Sequence, residues 1–123
     1  MQVRGIRGAT TVEENTRKAI LTATKELLEE LAAANNLQPE NIASIIFSMT
    51  SDLNQEFPAV AARELGWTEV PLFDSQELEI EGTLSQCIRV LIHYNTEQSQ
   101  SDINHVYLRR AKQLRPDLVE GGD

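Results

Sequence analysis

Ile42-Ala43-Ser44-Ile45-Ile46-Phe47-Ser48-Met49-Thr50 is β-rich and almost continuously apolar. Such a run reads as a central strand covered on both faces. Upstream, Pro39-Glu40-Asn41 is a turn. Before it, Ile20, Ala23, Leu27, Leu31 and Ala34 recur at three- and four-residue spacing, with Leu28 widening the stripe, which predicts a helix over 13–34. Thr11 and Glu14 have capping-box spacing at its start, and Asn35-Asn36 end it. Residues 2–8 read as a short strand around Val3 and Ile6. Downstream, 51–56 is polar loop, and Pro58 suits the first turn of a helix over about 58–65 that ends at Gly66. Glu69–Phe73 reads as a short strand with Pro71 marking an edge or interruption, and 74–83 as acidic loop. Leu84–Tyr94 and His105–Arg109 read as further strands, with a turn at Ser101-Asp102 between them. Leu114-Arg115-Pro116-Asp117-Leu118 closes the fold, and 119–123 is a flexible tail. The expected class is α+β: a mixed β-sheet with helices packed mainly on one face, in one domain over 1–118.

The chain has 123 residues, 41% of them hydrophobic and only 5% aromatic, so its core is mostly aliphatic. Its net charge of −8 argues against nucleic-acid and anionic-membrane partners. No apolar run approaches a membrane span, and Met1-Gln2-Val3-Arg4-Gly5 lacks a signal-peptide stretch. Cys87 stands alone, which excludes an intramolecular disulfide and a multi-cysteine metal cluster and fits a reducing, cytoplasmic location. No dinucleotide fingerprint, Walker A, zinc-protease or nucleophile-elbow motif is present. His93 and His105 stand apart and read as ordinary strand residues, and Cys87 as a small core hydrophobe.

Arginines outnumber lysines eight to three, the bias expected where a planar fork grips a carboxylate or phosphate. Arg7, Arg63, Arg89 and Arg115 sit in unusual contexts. Arg89 is the sharpest, because it interrupts the apolar run Cys87-Ile88-Arg89-Val90-Leu91. A guanidinium buried there needs an anion beside it. Glu77, Glu79 or Glu81 would make that a structural salt bridge. A ligand would make it an anion-binding site.

The opening Arg4-Gly5-Ile6-Arg7-Gly8-Ala9-Thr10-Thr11 resembles the N-terminal signature of the monofunctional chorismate mutases of the trimeric, Bacillus type. Further blocks agree in order: Thr50-Ser51-Asp52-Leu53 before Phe57-Pro58-Ala59, Ala62-Arg63-Glu64-Leu65-Gly66-Trp67, Cys87-Ile88-Arg89-Val90, His105-Val106-Tyr107-Leu108 and Leu114-Arg115-Pro116-Asp117-Leu118. The resemblance implies an isomerase that converts chorismate to prephenate by a [3,3] Claisen rearrangement, on the way to phenylalanine and tyrosine. It implies no cofactor and no metal. It also implies a homotrimer whose sheets join into a pseudo-α/β barrel, with active sites at the subunit clefts.

By position, the resemblance assigns Arg89 to the ether oxygen and Arg7 to the carboxylate of the enolpyruvyl side chain, with Tyr107 nearby. Glu77 accepts the hydrogen bond of the ring hydroxyl. Phe57, Ala59 and Leu72 form apolar walls, Leu114 and Arg115 close the site, and Arg63 stands at its entrance. Phe73 and Asp74 precede Glu77 and depart from the threonine and cysteine of the Bacillus-type pattern, and Asp74 brings negative charge toward a dianion. A non-catalytic binding trimer and a deaminase- or ribonuclease-type trimer are the competing readings. The joint presence of Arg7, Glu77, Arg89 and Tyr107 argues against the first, and fold analogy alone carries the second.

Overall fold

A mixed five-stranded sheet forms the centre of the chain, in the order β3-β2-β4-β1-β5. The computed structural model describes residues 1–114, so Arg115, the closing segment 115–118 and the tail 119–123 lie outside it. The strands are β1 (Gln2–Thr11), β2 (Ile42–Met49), β3 (Leu72–Gln76), β4 (Cys87–Thr96) and β5 (Val106–Tyr107). The helices are α1 (Arg17–Asn35) and α2 (Ala59–Glu64). β4 pairs antiparallel with β1 and β2, while β1–β5 and β2–β3 are parallel.

Registered neighbours share a face, so the pairing sorts the side chains into two sets. Ile6, Ile45, Phe47, Val90 and Ile92 point to the face that α1 and α2 cover, and pack with Leu27, Leu28, Leu31, Ala59 and Ala62. The other face carries the row Phe73–Ile46–Leu91–Arg7 and beside it Ser75–Ser48–Arg89–Ala9–Tyr107. Among the described residues no α-helix covers this second face. The described residues of one chain therefore do not enclose the apolar run 42–50 on both sides, and Ile46 keeps 38% of its surface exposed. Among the described residues only the β5 end of the open face is covered, where the 3₁₀ turn Arg109–Gln113 buries Ala9, Cys87 and Tyr107 under Ala111.

Several expected boundaries move, each for a local reason. α1 starts at Arg17, because Thr11 stays in the sheet opposite Cys87 and the Thr16 hydroxyl caps the helix instead, accepting from Ala19 N at 3.1 Å. The helix ends as expected, with Asn36 in the left-handed region. The strand read at Glu69–Phe73 begins at Leu72. Trp67 and Val70 turn into the core, and the Pro71 carbonyl accepts from Ile45 N to start the pairing. β3 is an edge strand, as its proline suggested. β4 starts at Cys87, because Gln86 at φ +49° ends the preceding loop. The last strand is only Val106–Tyr107, since Arg109 at φ +54° turns the chain into the 3₁₀ segment.

At Gly8 the sheet backbone comes close against the side chains of α1. A Cβ there would lie 2.8 Å from Leu31 Cδ1 and 3.1 Å from Leu27 Cδ1 and Val90 Cγ1. Leu27 and Leu31 are fully buried and have nowhere to retreat. Gly8→Ala is expected to destabilise the fold by about 1–3 kcal/mol through overpacking. Urea unfolding should show a lower midpoint at unchanged slope.

Candidate active site

Arg89 projects from the third residue of β4, the middle strand of the sheet, onto the open face. Its registered neighbours are Ala9 and Ser48, both small, so the guanidinium stands over an unfilled space. That space is a cleft of about 330 Å³ lined by Arg7, Ala9, Ile46, Ser48, Arg89, Leu91, Tyr107 and Leu114, among others. Its size and its few convergent polar groups suit a small organic ligand. The Arg89 side chain is 39% exposed, so its charge is hydrated and available rather than sealed in a core.

Glu77 supplies the nearest anion. Its Oε2 lies 3.1 Å from Arg89 Nε. Nε itself is shielded from solvent and has no directed hydrogen-bond partner among the described residues. Ser48 Oγ donates to the same Glu77 oxygen. Glu77 follows β3, and its backbone N–H donates to Met49 O at 2.8 Å, which holds it beside the end of β2. Of the three acidic residues weighed as partners for Arg89, Glu77 is thus the one in place, and Glu79 instead accepts from Ser51.

The start of β4 is pinned two residues before Arg89. Thr50 Oγ1 accepts from Cys87 N at 3.0 Å, and the Asp52 carboxylate accepts from Gln86 N at 3.0 and 3.2 Å. Cys87 is fully buried in this corner, and burial pushes its thiol pKa up, against a nucleophilic role. Arg7 is fixed differently. Its backbone N–H donates to His105 Nδ1 at 3.0 Å, just before β5 begins. Asn35 clamps that segment to α1, accepting from Asn104 N and donating to Asn104 O, each at 2.8 Å. The part played by His105 was hidden in the sequence, because only the β1–β5 register brings it to Arg7.

The sequence-expected residues fall into two groups. Arg7, Glu77, Arg89, Tyr107 and Leu114 meet at or beside the cleft. Phe57, Ala59, Arg63, Leu72, Phe73 and Asp74 gather around α2 and β3, roughly 14 Å from β1 by three inter-strand spacings. In that second group Phe57, Arg63 and Phe73 are exposed, whereas Ala59 is buried in the core. Asp74 lies on the helix side of the sheet and accepts from Ala59 N at 3.1 Å, capping α2 and keeping its charge away from the cleft of its own chain. Arg115 is outside the described residues.

Burial raises the Asp74 pKa above the usual aspartate range, against the bond from Ala59 and the nearby Arg63 charge. The folded form then holds this proton more tightly than the unfolded chain. This contribution to stability is complete below about pH 4 and is lost as pH rises through the folded pKa. Asp74→Asn keeps an acceptor for Ala59 N–H without the charge. Its unfolding free energy should fall less steeply over that window and at pH 7 should at least equal the parent's, as read by urea titrations at several pH values.

Among the described residues no group of three or more His, Cys, Asp or Glu is placed to hold a metal ion, and no helix is long and apolar enough to cross a membrane. Comparison with known proteins places the chain as a whole. The family described as chorismate mutase type I matches residues 3–118. Chorismate mutase AroH of Thermus thermophilus is 51% identical over 117 residues, spanning 94% of this chain and 96% of the relative. That of Bacillus subtilis is 48% identical over 119 residues, spanning 96% and 94%. A solved chorismate mutase from Clostridium thermocellum superposes with a TM-score of 0.87 at 49% identity, covering 89% of this chain and 97% of that one. On these matches over nearly its whole length, the chain belongs to the chorismate mutase type I family and is an isomerase of that kind, a chorismate mutase.

Proposed function

We propose that the cleft folds chorismate, a dianionic ring ether, into its reactive chair-like shape and stabilises the charge that separates as the ether C–O bond lengthens and the new C–C bond forms, giving prephenate. The rearrangement is unimolecular, so orientation and preorganised electrostatics are the levers the side chains have. The Arg89 guanidinium faces the ether oxygen, where negative charge grows. Arg7 grips the enolpyruvyl carboxylate with Tyr107 beside it, and Glu77 accepts from the ring hydroxyl. Leu114 and Arg115 close the site over one domain spanning 1–118. The observation that carries this reading is the convergence of Arg7, Arg89 and Tyr107, from three different strands, on one open cleft with Glu77 held against Arg89.

The same reading makes the working unit a cytoplasmic homotrimer. The open sheet face, with Ile46, Phe73 and Val3 exposed, is apolar surface that a second copy covers. The second group of residues then completes a neighbour's cleft: Phe57, Phe73 and Arg63 offer exposed side chains to it. Ala59, Leu72 and Asp74 support that wall from behind. The test is to mix purified protein with chorismate in the presence of a chelator and follow substrate loss with prephenate formation. Tight binding of a bicyclic transition-state mimic without turnover would instead favour a binding protein.

A further inference from the structure

Ser48 has no part in the reading above, yet its hydroxyl engages the Glu77 oxygen that lies against Arg89. We infer that Ser48 is a positioning residue: its hydroxyl holds Glu77 Oε2 and so turns Oε1 toward the cleft. The inference rests on the proposed role of Glu77 and adds what makes that role possible. A carboxylate beside a guanidinium tends to swing into a two-point, fork-to-fork pairing. In that arrangement both carboxylate oxygens and the guanidinium edge would be spent on each other, leaving neither for a ligand. Here the closest approach is one oxygen to Nε. Ser48 is placed to keep it so. It lies opposite Arg89 in the β2–β4 register and lines the cleft, and Glu77 is tethered to the next residue of β2 through Met49 O. Strand geometry fixes the Ser48 Cβ direction, so the hydroxyl reaches Glu77 without ordering a loop.

A double-mutant cycle with steady-state chorismate kinetics tests this. Ser48→Ala is expected to lower kcat on the order of tenfold, the scale of one hydrogen bond to a charged group, with KM changed by less than about twofold. Ser48→Thr keeps the hydroxyl and should restore most of the loss. In a Glu77→Gln background, removing the Ser48 hydroxyl should change kcat by less than about twofold, because the group it acts through is already altered. Equal losses in both backgrounds would mean that Ser48 acts directly or merely supports the fold, and would overturn the inference while leaving the role of Glu77 intact. An unchanged kcat in Glu77→Gln alone would remove Glu77 from the mechanism and the Ser48 inference with it. Failure of Ser48→Thr to recover, with folding confirmed by circular dichroism, would also count against it.

Discussion

Arg89→Ala is expected to lower kcat by about 10²-fold or more, as for loss of a preorganised donor at a developing oxyanion. The fold should survive, because the side chain is 39% exposed and stands between small neighbours on the uncovered face. Circular dichroism and the urea midpoint should therefore stay close to the parent's. Glu77 would lose its countercharge, but its carboxylate keeps some solvent contact and the Ser48 hydroxyl. Arg89→Lys should also be poor, since one ammonium cannot reproduce the planar fork. Near-normal turnover in Arg89→Ala would remove Arg89 from the centre of the mechanism.

Ile46→Asp is expected to break the proposed trimer. Ile46 sits in the row Phe73–Ile46–Leu91–Arg7 on the open face. In a lone chain the new carboxylate would meet water, so the subunit fold should persist. Against a neighbouring subunit it would lose its hydration, at a cost of several kcal/mol per chain. Sedimentation should show the trimer giving way to monomer, and turnover per chain should fall because each cleft loses the wall lent by its neighbour. Ile46 also lines the cleft, so the sedimentation result decides the matter. A persistent trimer, or a monomer with the parent's kcat/KM, would contradict the proposed assembly.

The proposed assembly would also account for what the sequence shows and what it hides. The helical stripe from Ile20 to Leu31 was legible because its period is set by burial within the chain. So were β2 and the edge position of β3. The continuous apolar pattern of 42–50 was read as enclosure on both faces, but half of it faces outward in the single chain. A sequence records burial without recording who provides it. The capping-box match at Thr11 is outcompeted by three further rungs of the β1–β4 ladder, at Ala9, Thr10 and Thr11, a tertiary preference invisible to local spacing. Arg89 stood out because a guanidinium in an apolar run has few explanations. The residues themselves single out Arg7 and offer Glu77 among three partners for Arg89, and the resemblance adds Tyr107; the supports Ser48, His105 and Asn35, and Asp52 at the start of β4, emerge only with the fold. Short polar residues in strands and loops are common, and nothing local distinguishes one that aims a neighbour.

A crystal structure with a bound endo-oxabicyclic mimic of the transition state tests the central claim most directly. The account predicts the Arg89 guanidinium within hydrogen-bond distance, about 3 Å, of the bridging ether oxygen, with Arg7 on the side-chain carboxylate. An Arg89 side chain still paired to Glu77 and turned away from that oxygen would contradict it.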